Sequence, residues 1–223
     1  MLTRMSATLP SLRSVAIRES VVDVLRNALL EGKFAPGENL SEPTLAAQLG
    51  VSRGPVRESL LVLEQEGLVV HAQNRGFAVP TFGPADRPAM MRVRLPLETL
   101  ALELAKDLIQ PNVLAELEKS VDAMVATYLT DPRACAREDL MFHEKLWDAT
   151  GNPWLQVALK RIARPFFMHA IMYRKRTPGL DTATFEEQHR AYLAFLRGQS
   201  SASAEDCVRF HISTHDPQFK QGI

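Results

Sequence analysis

Only two cysteines occur in the 223 residues, Cys135 and Cys207, and no CxxC spacing links them. That excludes a disulfide framework and points to free thiols in a reducing compartment. No apolar run reaches membrane length, and the opening MLTRMSATLPSLR carries charge without an apolar stretch, so neither a spanning helix nor a signal peptide is expected. A soluble, cytoplasmic chain with no membrane partner follows. There is no net charge, with 26 Lys and Arg against 26 Asp and Glu, and the first eighty residues balance as well, eight against eight. A uniformly basic surface is therefore excluded, and any grip on phosphates has to come from local arrangement. Internal repeats and low-complexity segments are absent. No HExxH exists either, because His143-Glu144 is followed by Trp147, and no Ser or Cys nucleophile signature appears.

What is present divides at Thr81-Phe82-Gly83-Pro84, a short linker. Before it, residues 1–12 read as a disordered tail and 13–80 as one small domain. Val21, Val22, Leu25, Ala28 and Leu29 keep a 3.6-residue period up to Gly32, predicting a helix from Val15 to Leu30. Ser41 caps a second short helix with Pro43 in its first turn and Gly50 as its stop. The third helix is VSRGPVRESLLVLEQEG, residues 51–67, with Ser52 as N-cap, Val56, Leu60 and Leu63 inward, and Arg53 and Arg57 sharing the open face at its nose. LVVHA and FAVP then flank QNRG as two short strands around a tight turn. Three helices and a two-stranded wing make a winged helix-turn-helix, whose third helix enters a DNA groove. A plain helical bundle with an incidental hairpin would share the amphipathic helices but not this order of arginine-nosed helix and arginine-tipped hairpin.

After the linker, residues 85–223 read as an all-α antiparallel bundle, with helices near 85–109, 111–129, 132–150, 153–174, 182–198 and 202–215. Polar residues lie in its apolar stripes. Asp139 and His143 share a face with Phe142 and Leu146, His189 with Phe185 and Tyr192, and His211 and His215 with Ala204 and Val208. A buried carboxylate or imidazole without a partner costs several kcal/mol, and four such groups on three helices can satisfy one another by binding one cation. Read singly, each histidine is a hydrogen-bonded core residue, as His169 would be in its own stripe. A His211–His215 pair and a plain Asp139–His143 bond are further alternatives. Arg94 recurs with Met90, Leu97, Ala101 and Leu104; it either pairs with Glu98 one turn on or faces a cavity where it meets a carboxylate ligand.

The run LLEGKFAPGENLSEPTLAAQLGVSRGPVRESLLVLEQEGLVVHAQNRGFAV resembles the DNA-binding domain of the GntR family of bacterial transcription regulators. The marks are G-x-x-x-P-G, L-S-E-x-x-L-A-x-x-L-G-V-S-R, x-P-V-R-E-x-L, and E-G-L-V ending in N-R-G. The resemblance implies that Ser52, Arg53, Arg57, Arg75 and Gly76 touch DNA, the two helix arginines in the groove and the wing in the adjacent minor groove. Pro43 stands where some members place a further DNA-contacting arginine. D-L-M-F-H followed by G-N, then Q-H-R-A-Y and R-F-H-I, is similar to the all-helical FCD effector domain that accompanies such DNA-binding domains. That likeness implies a divalent ion, zinc or nickel, on Asp139, His143, His189 and His211. Gln188 replaces the Glu that many relatives carry. R-L-P-L-E resembles the first FCD helix and makes Arg94 an effector contact.

The function so implied is a homodimeric, ligand-responsive repressor on a near-palindromic operator, sensing a small organic acid. A metal-dependent hydrolase carrying a DNA-binding appendage and a regulator with a purely structural metal are the alternatives.

Overall fold

The computed structural model describes residues 12–72, 76–83, 85–173 and 181–215. The tail expected over residues 1–12 falls outside this set except for Leu12, as do Arg75 and Pro84. In the winged part, α1 (Leu12–Leu30) is followed by β1 (Asn39–Leu40), α2 (Glu42–Leu49), α3 (Arg53–Gln65), β2 (Val70–Ala72) and β3 (Gly76–Ala78). The helical part holds α4 (Asp86–Leu108), α5 (Pro111–Thr127), α6 (Pro132–Asp148), α7 (Pro153–Tyr173), α8 (Thr182–Leu196) and α9 (Ala204–His215).

The period-3.6 stripe of α3 buries Val56, Leu60 and Leu63 against Val21, Val22, Leu25 and Leu29 of α1. Ser59 adds a polar tie, its hydroxyl donating to the Pro55 carbonyl at 2.7 Å and the Arg18 carbonyl at 3.2 Å. The sheet differs from the expected two-stranded wing. Three strands run in the order β1-β3-β2, both pairs antiparallel, with Leu40 opposite Phe77 and Val70 opposite Ala78. Asn39–Leu40 is too short to show alternation, yet pairing it with β3 places buried Leu40 in the winged core.

In the helical part α6 packs between α5 and α7, and α4 lies against α7 and α9. One helix belongs to both parts. Leu159, Ala163 and Phe167 of α7 sit in a bundle cluster with Trp147, whereas Met168 and Ile171 enter the winged core beside the α1 and α3 leucines. Gly67, just past α3, is held against the same helix. Its φ of +76° favours glycine, and a Cβ there would lie 2.6 Å from the Arg161 carbonyl oxygen.

Candidate nucleic-acid interface and metal centre

The turn between α2 and α3 is short, with Gly50 in left-handed conformation closing α2 and Ser52 in extended conformation opening α3. Ser52 stands at the N-cap, but its hydroxyl makes no cap hydrogen bond, contrary to the capping role expected of it. The first-turn N–H groups of α3 therefore lack a cap from the Ser52 hydroxyl. Ser52, Arg53 and Arg57 are exposed, and the two arginines form no ion pair among the described residues. Gly76 is exposed at the start of β3 with φ +77°. Arg75, its expected partner at the wing tip, lies outside the described residues.

The second constellation is its opposite in environment. Asp139 and His143 come from α6, one turn apart; His189 comes from α8 and His211 from α9. All four are buried, and one ligand atom from each lies within 4.8 Å of the others. His143 Nε2 is 3.0 Å from His211 Nε2, His189 Nε2 is 3.1 Å from Asp139 Oδ1, and His143 Nε2 is 3.4 Å from the same oxygen. Two ring nitrogens at 3.0 Å need a proton or a cation between them. Tetrahedral ligation at zinc-type bond lengths of about 2.0–2.1 Å sets ligand atoms roughly 3.3 Å apart, so the spacing suits a divalent ion. Three imidazoles and one carboxylate are a donor set for zinc or nickel more than for calcium.

Local contacts aim these groups. His189 Nδ1 lies 2.8 Å from the Phe185 carbonyl, one helical turn back; donation there turns Nε2 toward the cluster. Phe142 and Phe185 pack against the His189 ring at centroid distances of 5.3 and 4.6 Å. Burial alone would raise the Asp139 carboxyl, but hydrogen bonds from His143 and His189 more than reverse this and hold it well below the usual carboxylate range.

Arg94 and Glu98 of α4 form the wall beside the cluster. Both are buried, and Arg94 Nε donates to Glu98 Oε1 at 2.6 Å, so the helical ion pair expected as one alternative exists inside the protein. Arg94 also lies over the rings of Phe166 and Phe167, 5.0 and 5.2 Å from their centroids. Glu98 Oε2 is 3.9 Å from His143 Nδ1, a link that sequence periodicity did not reveal. Several buried polar atoms around this wall have no hydrogen-bond partner among the described residues: Arg94 Nη2, Glu98 Oε2, Trp147 Nε1, Tyr192 Oη and both Gln188 side-chain atoms. The side chains of His169 and His215 lie outside the described residues.

The two constellations are joined by a chain of ion pairs. Glu66, at the end of α3, accepts from Arg26 Nε and Nη2 at 2.9 and 2.7 Å and pairs with Arg164 of α7 at 3.2 Å. Arg164 Nε donates to Glu144 at 2.5 Å, and Glu144 is the residue after His143.

Comparison with known proteins agrees with the division into a winged and a helical part. Residues 17–79 match the family described as bacterial regulatory proteins, gntR family, and residues 89–214 match the FCD domain. An HTH-type transcriptional regulator of Streptomyces ambofaciens is 31% identical over 201 residues, covering 87% of this chain and 81% of its own. The gluconate operon transcriptional repressor of Bacillus subtilis (strain 168) is 29% identical over 183 residues, covering 80% and 74%. The structure of E. coli McbR/YncC shares the fold, with a TM-score of 0.69 at 23% identity over 92% of this chain and 97% of that one. No helix among the described residues is long and apolar enough to cross a membrane. Family and relatives are transcription regulators, which removes the hydrolase alternative. The chain belongs to the GntR family of bacterial regulatory proteins and is a DNA-binding transcription regulator with an FCD domain.

Proposed function

We propose that this regulator is a cytoplasmic homodimeric repressor whose helical part holds a divalent ion, zinc or nickel, on Asp139, His143, His189 and His211 and there senses a small organic acid. The observation that carries this reading is the convergence of four buried ligand atoms within 4.8 Å. The unpartnered donors Arg94 Nη2, Trp147 Nε1 and Tyr192 Oη supply the second argument, since a buried polar atom without a partner costs about 1–3 kcal/mol and a bound carboxylate would accept from such donors. Arg94 is accordingly assigned to the effector, paired through the part of its guanidinium that Glu98 leaves free.

On the DNA side, Ser52, Arg53, Arg57, Arg75 and Gly76 are assigned to the operator, with the α3 nose in the major groove and the wing in the minor groove. Two copies related by a twofold axis would read a near-palindromic site. We take 13–80 as the DNA-binding unit, 85–223 as the effector unit and 81–84 as the linker, residues 1–12 being a tail. The repressor named for gluconate is one relative that represses, and repression is the sense we assign here.

The test is a metal analysis of the purified protein followed by anisotropy titration of an operator duplex, with and without the ion, across a panel of carboxylates at fixed salt. A stoichiometric ion, and a carboxylate that changes operator affinity about 5- to 150-fold only when the ion is present, are expected. An ion that no carboxylate couples to would leave it a structural prop, and absence of any ion would sink the metal assignment.

A further inference from the structure

Between the winged part and the helical part lies a cavity of about 300 Å³, at the lower end of the range of about 300–1,000 Å³ for small-molecule sites. Asn27 and Leu30 of α1 line one wall. Arg137, Leu140 and Met141 of α6 line the facing wall, and Leu68, just past α3, completes the apolar floor. Leu68 and Leu140 are buried, whereas Met141 is 46% exposed, so the cavity is dry at its base and reachable from solvent. Arg137 and Met141 face well away from Asp139 on α6, whereas Leu140, three residues before His143, lies on the flank between the cavity and the cluster.

Most of the charge around this cavity is already paired. Arg26 is held by Glu66, Arg164 by Glu144 and Glu66, and Glu31 by Lys33 at 2.6 Å. Arg137 is different: half-buried in the cavity wall, its guanidinium makes no hydrogen bond or close ion pair among the described residues, and its one charge partner there, Glu31, attracts it only at longer range while being bonded to Lys33. A guanidinium fork beside an apolar floor offers bidentate pairing to one carboxylate and a dry surface to a short hydrocarbon body.

We infer that this cavity is a second small-molecule site, separate from the four-residue cluster, taking a monocarboxylate with a short apolar body whose carboxylate pairs with Arg137. An occupant touches α1 of the DNA-binding part and α6 of the effector part at once. It therefore favours the docked arrangement of the two parts over any in which they separate, by its differential affinity for the two. The inference needs neither the ion nor the acid proposed above.

Hexanoate is the probe, titrated calorimetrically into the full chain, with 1-hexanol and inorganic phosphate as controls that each keep half of its chemistry. One hexanoate per chain is expected, with both controls at least tenfold weaker. Arg137→Ala should weaken hexanoate at least tenfold, and Met141→Trp, at a half-exposed position that tolerates the larger ring, should fill the cavity and do the same. Binding should persist in His189→Ala protein and in chelator-treated wild type. No hexanoate binding in the wild type, binding unchanged in both cavity variants, or binding that disappears with the chelator would each overturn the inference. Phosphate binding as tightly as hexanoate would overturn the apolar part of the ligand class.

Discussion

Arg53 and Arg57 at the nose of α3, and Asp139, His143, His189 and His211 in the bundle, handle charge in opposite ways. The arginines stand in water, where an unpaired guanidinium costs little, and their neighbours are fixed by one short helix. The four bundle residues are buried, so each needs a partner, and those partners come from three separate helices. The first group can wait for its ligand at no structural cost. The second is tied to the folding of the domain that contains it, and on the proposed assignment that is a reason for a sensor to lie inside and a reader to lie outside.

This contrast can be broken most strongly at the outer site. Arg53→Ala combined with Arg57→Ala should weaken operator binding by about 2–6 kcal/mol, since a base-edge arginine contributes about 1–3 kcal/mol, with thermal stability unchanged. Anisotropy titration at one fixed salt concentration reads the first, and calorimetry the second. Retained affinity would mean that α3 is not the reading helix. At the inner site His189→Ala should cut metal affinity on the order of a hundredfold or more, beyond the 10–100-fold typical of outer partners, and also lower the melting temperature. Competition with a chromophoric chelator measures the affinity.

Glu98→Gln is a smaller change, keeping shape while removing the charge between Arg94 and His143. About tenfold in metal affinity is expected, with operator binding of the metal-free protein unaltered. The smallest effect concerns acid stability. In the metal-free protein the folded Asp139 carboxyl lies below its unfolded value of about 3.9, so the stability it contributes is complete above that pH and fades as pH falls through and below it. Asp139→Asn should flatten this acid limb in urea titrations between about pH 5 and pH 2 while leaving the limb above pH 6 parallel to wild type. An acid limb of undiminished slope would place the linkage elsewhere.

The two sites were unequally legible in the sequence. VSRGPVRESLLVLEQEG carries its cap position, buried stripe and basic nose within one helix, so spacing alone described it. The four bundle residues were visible as polar interruptions of apolar stripes, but their convergence depends on how α6, α8 and α9 pack. The Glu98 contact to His143 stayed hidden because an i to i+4 Arg–Glu pair reads equally well as a surface feature. The ion-pair chain through Glu66 and Arg164 was invisible for a related reason. Each member looks like an ordinary solvated charge in its own helix, and the partners lie far apart in sequence. Strand β1 was missed because two residues cannot alternate.

The seating of Gly67 on the Arg161 carbonyl gives α3 the mechanics of a lever. Its foot, at Glu66 and Gly67, is pinned to α7. Toward its tip Val56 and Ser59 bind it into the winged core while the Arg53 and Arg57 side chains stand in solvent, so α3 moves with the winged part as one arm. Thirteen residues at 1.5 Å each make an arm of about 20 Å, so a tilt of about 5° at the foot moves the tip by about 1.7 Å. A displacement of that size is enough to take an N–H···O contact out of hydrogen-bonding range. Small adjustments of α7 against the bundle therefore have an arm long enough to move the proposed operator-reading arginines by a hydrogen bond's reach.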